Sequence, residues 1–261
     1  MKSEYNGGEV KLRTEGHVAV LIFDRPANNH VSVESMRALA DALNDIDGEV
    51  NLRASVLTTA GKVFCAGADL VNPGGVGAEG MSGINPLYVE AVRMFSVKKP
   101  IVAAVQGAAV GAGLGVALMA DFRVAAPEAR FTANFVKLGF HPGFGITHTL
   151  PRVIGLQRAQ LMCMTGRRLT GQDALDWGLA DVLAPLDELQ AAAMKLAGEL
   201  AENAPLAVQA TRATFRIGLA AAVKAQTDHE MAEQTWLRKT KDFAEGVRAV
   251  NERRAGNFVG A

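Results

Sequence analysis

The chain has 261 residues, and its 27 lysine and arginine residues balance its 27 aspartate and glutamate residues. A chain of this length can bury one substantial core, so one main domain is expected. Balanced charge without basic or acidic runs argues against a nucleic-acid partner and a polybasic membrane anchor. The N-terminus has no apolar signal segment, and Cys65 and Cys163 lack metal or redox spacing. We therefore expect a cytoplasmic protein with reduced thiols and no metal site.

The first half of the chain predicts strands that alternate with helices. EVKLRTE (9–15) and HVAVLIFD (17–24) alternate charged and apolar residues around a turn, which predicts a hairpin. Ser32 is the predicted N-cap of a helix with Gly48 just beyond its end. Further predicted elements are strands at 53–60, 101–105 and 121–125, helices at 87–97 and 110–120, a turn at 61–70 and a long flexible segment at 72–86.

The second half of the chain is mainly helical by its pattern. Predicted helices lie at 144–153, 155–164 and 171–177, a short strand lies at 181–183, and long helices with a joint at 203–205 fill the rest. Alternating strands and helices followed by a helical tail imply an α/β fold. We expect residues 1–200 to form the core and residues 201–261 to form a C-terminal helical region.

The apolar, glycine-rich stretch IVAAVQGAAVGAGLGVALMAD (101–121) has four possible interpretations. It is long enough for a membrane span, but Gln106-Gly107 interrupts it after one strand length, which favours a strand, a turn and a buried helix. Its closely spaced glycines do not match a dinucleotide-binding fingerprint. Small residues that only allow tight packing, or a turn that belongs to an active site, remain open.

Five segments carry a resemblance to a known family. They are FCAGADL (64–70), PIVAAVQGAAVGAGLGVALMAD (100–121), ARFTANFVKLGFHPGFG (129–145), TGRRLTGQDALDWGLAD (165–181) and DFAEGVRAVNERR (242–254). In this order, over nearly the whole chain, they resemble the enoyl-CoA hydratase/isomerase family, the crotonases. The resemblance implies a crotonase-like spiral of ββα units with a C-terminal helical trimerisation region, in a homotrimer or a dimer of trimers. It also implies an acyl-CoA thioester as ligand, with coenzyme A as part of the substrate and no separate cofactor.

Carried over position by position, the resemblance makes the backbone amides of Ala68 and Ala112 the donors of an oxyanion hole. Small residues at sharp turns can point two N–H groups at one place. Such donors stabilise the negative charge that grows on a thioester oxygen as an enolate forms. The resemblance therefore predicts a catalytic role for both amides.

The same resemblance suggests where coenzyme A binds. It places the adenine near Ala66 and residues 27–29, and a phosphate near Lys62. Asp69 and Leu70 complete the substrate-binding motif, and Asp69 is also expected to accept backbone hydrogen bonds that hold the turn. Arg253 and Arg254 are further candidates for binding a phosphate of coenzyme A. Each basic residue could equally be a solvated surface charge.

The sequence departs from the family at two positions that carry its proton transfers. Typical hydratases use two glutamates, which align with Gly115 and Phe135. Neither glycine nor phenylalanine can transfer a proton, so the two-glutamate hydratase mechanism and the single-glutamate isomerase mechanism are both unavailable. Gly115 is expected to open space beside the thioester. A bicarbonate bound there could supply the missing carboxylate, as in the dihydroxynaphthoyl-CoA synthase branch.

Other side chains are candidates for the missing acid or base. His141 is expected on the loop that borders the acyl pocket, where it either transfers protons or only shapes the loop. Glu79 and Tyr88 could move inward with the segment at 72–86, although solvent exposure is the default expectation for both. His30 and His148 are weaker candidates for the acid or base.

Three functions stay open at this point. The first is an acyl-CoA enzyme that stabilises an enolate, with enoyl-CoA hydratase/isomerase as the nearest label. The second is an acyl-CoA decarboxylase or thioester hydrolase, because decarboxylation forms an enolate without a base that removes an α-proton. The third is a non-catalytic acyl-CoA-binding protein that has kept the pocket and lost the proton-transfer groups.

Overall fold

The structure is a computed structural model that describes residues 1–68 and 85–261. Within these ranges the strands are β1 (Glu4–Tyr5), β2 (Val10–Glu15), β3 (Val18–Phe23), β4 (Ala54–Thr59), β5 (Ile101–Val105), β6 (Ala108–Val110), β7 (Phe122–Ala125), β8 (Arg130–Thr132), β9 (Arg168–Thr170) and β10 (Val182–Leu183). The α-helices are α1 (Val33–Gly48), α2 (Pro86–Phe95), α3 (Ala112–Met119), α4 (Ile146–Ile154), α5 (Leu156–Thr165), α6 (Gly171–Trp177), α7 (Leu189–Ala201), α8 (Pro205–Phe215), α9 (Leu219–Leu237) and α10 (Lys241–Asn251). Two short 3₁₀ helices lie at Asn6–Gly8 and Asn134–Leu138.

Seven strands form the main sheet in the order β1-β2-β3-β4-β5-β7-β10. The pairs from β1 to β3 are antiparallel, which confirms the predicted hairpin, and the remaining pairs are parallel. Parallel strands are usually covered on both faces, and alternate residues here enter two different cores. Leu57 and Ala103 belong to the main core, whereas Val56 and Ala104 pack beneath α7.

The apolar stretch at 101–121 forms β5, β6 and α3. The predicted strand, turn and buried helix are thus confirmed, although the chain adds a second strand between them. Helix α3 begins at Ala112, two residues later than predicted, because Gly111 turns the chain with a φ of 55° and a ψ of −120°. Over the described ranges, no helix combines the length and apolar character that crossing a membrane requires.

A second sheet contains β6, β8 and β9 and was missed by the sequence analysis. Each of these strands has only three residues, so no alternation of apolar and polar positions is visible in them. Val110 in β6 lies opposite Thr132 in β8, and Cys65 forms a further bridge to Ala109. This pairing places the chain that follows Cys65 beside the start of α3.

Helix α1 begins at the predicted N-cap. The Ser32 hydroxyl accepts a hydrogen bond from the Ser35 amide at 3.1 Å, and the Ser35 hydroxyl oxygen accepts one from the Ser32 amide at 2.9 Å. These two bonds form a capping box. Gly48 is the last helical residue and not the first residue beyond the helix. The C-cap, Glu49, is extended with a φ of −89°, a conformation that needs no glycine.

The C-terminal helices pack on the rest of the chain. Arg212 in α8 donates to both carboxylate oxygens of Asp121, at 3.0 and 2.9 Å. Helix α9 packs against α2 and α4, and α10 packs against the 3₁₀ helix at Asn134–Leu138. Gly246 permits the second approach, because a Cβ atom there would lie 2.4 Å from the carbonyl carbon of Leu138. Residues of α9 and of the 3₁₀ helix line the same cavity.

Candidate active site

A cavity of about 310 Å³ lies where the chain after Cys65 meets the start of α3. Its backbone wall comes from residues 66–68 and 110–112. Its larger apolar side chains are Leu87, Phe135, Leu138, Phe140, Phe144 and Val250. Its polar residues are His30, Asn85, Tyr88, Asn134, Gln234 and Arg238. None of the described lining residues carries a carboxylate. A larger cavity, of about 700 Å³, lies beside α8 and contains neither backbone segment.

Ala68 and Ala112 both line this cavity. Gly67 has a φ of 83°, and a Cβ atom there would lie 2.5 Å from the Val110 carbonyl oxygen and 3.3 Å from the Ala112 nitrogen. The two segments therefore touch through their backbones. Within the part of the chain that the structure describes, neither amide donates a hydrogen bond. Ala112 is buried and Ala68 is partly buried. Because buried amides are nearly always paired, two unpaired amides that border a cavity indicate a place for an acceptor.

A second close contact, between Gly113 and the Cys65 carbonyl group, also holds these two backbone segments together. A Cβ atom at Gly113 would lie 2.1 Å from the Cys65 carbonyl oxygen, and that oxygen already accepts a hydrogen bond from Val110 at 2.9 Å. We expect Gly113→Ala to lower the unfolding free energy by about 3 kcal/mol in urea denaturation, because a backbone oxygen cannot move aside. Gly198→Ala in α7, where no atom lies within 4 Å, should instead raise it by about 0.5–1 kcal/mol. Similar effects of the two substitutions would contradict the close contact.

Phenylalanine rings lie against two glycines near the Ala112 amide, Gly111 and Gly115. A Cβ atom at Gly111 would lie 3.5 Å from Cζ of Phe135, which lines the cavity. At Gly115, a Cβ atom would lie only 2.4 Å from Cδ1 of Phe144. The expectation that Gly115 opens space beside the ligand is therefore wrong. The Phe144 ring fills that volume, and Gly115 itself is not among the lining residues.

His141 lies outside the lining of the cavity. Its Nδ1 is 2.7 Å from the Pro142 carbonyl oxygen, and its ring meets the His229 ring edge-on at a centroid distance of 6.1 Å. His30 does line the cavity, and its Nδ1 is 3.2 Å from the Gly67 carbonyl oxygen. Nothing in the residues around His30 distinguishes it, because long-range contacts such as the bridge between Val31 and Ala68 bring it to the site.

Tyr88 is buried, so the default expectation of solvent exposure is wrong. It is 8% exposed, and its hydroxyl donates to Oε1 of Gln234 at 3.0 Å. Burial raises the pKa of the Tyr88 hydroxyl, which keeps it protonated near neutral pH. Gln234 also donates from Nε2 to the His141 carbonyl oxygen at 3.0 Å. The pair thus joins α2, α9 and the loop between the 3₁₀ helix at Asn134–Leu138 and α4.

Only some of the residues that were predicted to bind coenzyme A lie close together in the structure. The Ala66 amide donates to the Asn28 carbonyl oxygen at 3.0 Å, so residues 27–29 do adjoin Ala66. Lys62 is exposed and does not line the cavity. Arg254 is engaged in ion pairs with Glu245 and Glu252. The predicted residues that lie outside the described ranges are Asp69, Leu70 and Glu79.

Comparisons with known proteins agree over almost the whole chain. The family model described as enoyl-CoA hydratase/isomerase matches residues 13–261. A probable enoyl-CoA hydratase of Mycobacterium tuberculosis is 38% identical over 230 residues, which cover 87% of this chain and 89% of that protein. Carnitinyl-CoA dehydratase of Proteus mirabilis is 31% identical over 261 residues, which cover 95% and 97%. The crystal structure of an enoyl-CoA hydratase/isomerase from Pseudoalteromonas atlantica matches with a TM-score of 0.85 at 30% identity, covering 96% of this chain and 100% of that one. The chain therefore belongs to the enoyl-CoA hydratase/isomerase family and has its crotonase fold.

Proposed function

We propose that the protein is an acyl-CoA thioester enzyme that stabilises an enolate with the amides of Ala68 and Ala112. The observation that carries this proposal is the pair of amides without partners at the wall of one apolar cavity. A thioester oxygen placed between them would gain negative charge in the transition state and would accept both hydrogen bonds. Donors held in place before the reaction stabilise such charge strongly, because nothing has to reorganise.

Helix α3 adds to this stabilisation. The Ala112 amide is the first of the helix, so it belongs to the positive end of the helix dipole. All residues of α3 are buried, which keeps water from screening the dipole at the site. The catalytic contribution would thus come from the backbone, and it does not depend on the side chains at positions 68 and 112.

The reaction that we propose for the enolate needs no carboxylate from the protein. Gly115 and Phe135 stand at the positions of the family's two glutamates, and the described lining of the cavity contains no carboxylate. Decarboxylation of a malonyl-type thioester fits this lining. The bond between the α-carbon and the carboxylate breaks, its electron pair forms the enolate, carbon dioxide leaves, and the α-carbon later takes a proton from solvent. Thioester hydrolysis is the second candidate within the same site.

A panel of thioesters tests the proposal. Pure protein is incubated with crotonyl-CoA, a malonyl-type thioester and a 3-enoyl thioester, and products are separated by chromatography while binding is followed by calorimetry. We expect turnover of the malonyl-type thioester and no hydration of crotonyl-CoA. Binding of all three without turnover would instead support the non-catalytic acyl-CoA-binding protein, and no binding would contradict both.

The same thioester assays are repeated with added bicarbonate. The Phe144 ring fills the volume beside Gly115, where a bicarbonate would have replaced the missing carboxylate. We therefore expect the rate with each thioester to be unchanged by bicarbonate. A rate that appears only with bicarbonate would contradict the role that we assign to this ring.

We also propose that the chain assembles as a homotrimer or a dimer of trimers through its C-terminal region. Three large apolar side chains in α8 and just after it support this proposal: Leu206 in the first turn of the helix, Phe215 at its end and Ile217 two residues later are 78%, 77% and 81% exposed. Exposed apolar side chains of this size are typical of subunit interfaces. Light scattering coupled to size-exclusion chromatography measures the subunit number directly.

A further inference from the structure

We infer that Phe144 determines acyl specificity: its ring replaces the side chain that position 115 lacks and closes the site to acyl groups branched at the α-carbon. This inference rests on the proposed function, because it assigns the acyl end of the thioester to the cavity. It concerns a residue that sequence reasoning did not single out, and it follows from a contact between residues 29 positions apart.

Phe144 belongs both to the cavity wall and to the packing of α3. The ring lines the cavity, and the side chain is fully buried. A Cβ atom at Gly115 would lie 2.4, 2.7 and 2.9 Å from three carbon atoms of Phe144. Position 115 is three residues after Ala112 in α3, and residues with this spacing share one face of a helix. The ring therefore occupies the space next to the proposed thioester site.

The backbone of Phe144 is held in an unfavourable conformation. Its φ is +64°, in the left-handed region that bulky residues rarely adopt. Gly143 and Gly145 fix the loop on either side. A Cβ atom at Gly143 would lie 2.0 Å from the Tyr88 hydroxyl oxygen, and the Gly145 amide donates to Oε2 of Glu230 at 2.7 Å. A large residue at a position that favours glycine indicates that the ring itself is needed there.

Phe135 completes the enclosure from the other side. Its ring lies against Gly111, so the chain from Gly111 to Gly115 has a phenylalanine ring at each end. The two rings limit the width available beside the Ala112 amide. We therefore expect an unbranched acyl group to be accommodated next to the two rings, and a methyl branch on the α-carbon to meet the Phe144 ring.

Binding of two unreactive thioesters tests this specificity. Calorimetry with butanoyl-CoA and 2-methylbutanoyl-CoA should show at least 10-fold tighter binding of the unbranched thioester to the wild-type protein. In Phe144→Gly, whose backbone conformation suits glycine, we expect the ratio to fall to about 3-fold or less. Phe144→Leu provides a milder variant with an intermediate ratio, in case the glycine variant does not fold. Phe140→Leu is the matched control, since Phe140 also lines the cavity but packs against Phe243.

Each outcome bears on a different claim. Equal binding of both thioesters to the wild-type protein, or an unchanged ratio in the Phe144 variants, would overturn the specificity role and leave the proposed function intact. Binding of neither thioester would overturn the proposed function and this inference together. A loss of selectivity in Phe140→Leu as large as in Phe144→Leu would overturn the specific assignment to Phe144.

A double-mutant cycle tests the contact itself without any ligand. Gly115→Ala should lower the melting temperature of the wild-type protein by about 5 °C, because the new methyl group overlaps the ring. In the Phe144→Gly background the same substitution should leave the melting temperature unchanged or raise it, since alanine is favoured in helices. Additive effects of the two substitutions would contradict the replacement of one side chain by the other.

Discussion

An Ala112→Pro variant should fold as the wild-type protein does and lose 100-fold to 1000-fold in turnover of the thioester that the protein converts best. The substitution removes one backbone N–H, and loss of a single oxyanion donor typically costs about 10²–10³ in kcat. Ala112 is the first residue of α3, the helical position where proline is best tolerated. Gly111, which precedes it, has the conformational freedom that a residue before proline requires.

Ala112→Gly is the matched control, because it keeps the N–H group and removes only the methyl group. We expect its turnover to stay within a few-fold of the wild-type value. Circular dichroism and thermal unfolding establish that both variants are folded. Equal turnover in the proline variant and the wild-type protein would show that the Ala112 amide does not contact the reacting oxygen. Loss of turnover in both variants would point to the methyl group instead.

A Glu230→Gln variant should change how the stability of the protein depends on pH. Glu230 in α9 is fully buried and accepts hydrogen bonds from the Gly145 amide at 2.7 Å and from the Thr147 amide at 3.1 Å. The Thr147 hydroxyl donates to it as well, at 2.5 Å. Burial raises the pKa of Glu230 from 4.5 to about 7, and these hydrogen bonds offset only part of that rise.

The sign of the effect follows from the raised pKa. The folded protein holds the Glu230 proton more tightly than the unfolded chain does, so the stability contribution is complete below pH 4.5 and is lost as the pH rises through 7. Glutamine cannot ionise, so the unfolding free energy of Glu230→Gln relative to wild type should rise by about 3 kcal/mol between pH 4.5 and 8. A change in hydrogen bonding at glutamine adds only an offset that does not vary with pH.

Urea denaturation at several pH values measures this difference. Glu233→Gln serves as the control, because it removes a charge from the same helix at a partly exposed position. A difference between Glu230→Gln and wild type that stays constant from pH 4.5 to 8 would contradict the assignment.

Much of the local structure was predictable because it depends on neighbouring residues. The capping box at Ser32, the hairpin of β2 and β3, and the division of 101–121 into strand, turn and helix all follow from patterns within a few positions. The absence of glutamate at positions 115 and 135 was equally visible, since it depends only on the residue types at those positions. Residue types and local patterns alone therefore limit the chemistry that the site can perform.

The arrangement around the cavity could not be predicted in the same way. The three-residue strands of the second sheet carry no periodicity, yet they bring Gly67 beside Ala112. The burial of Tyr88 depends on Gln234, which lies 146 positions further along the chain.

The sequence by itself determined the family, the order of most strands and helices, and the absence of glutamate at positions 115 and 135. Only the tertiary structure decided that position 115 borders a phenylalanine ring instead of open space, and that His30, but not His141, lines the cavity. The physical reason is that van der Waals contact and burial are properties of the packed chain. Local patterns report which face of an element is apolar, but they do not report which distant side chain fills the space against it.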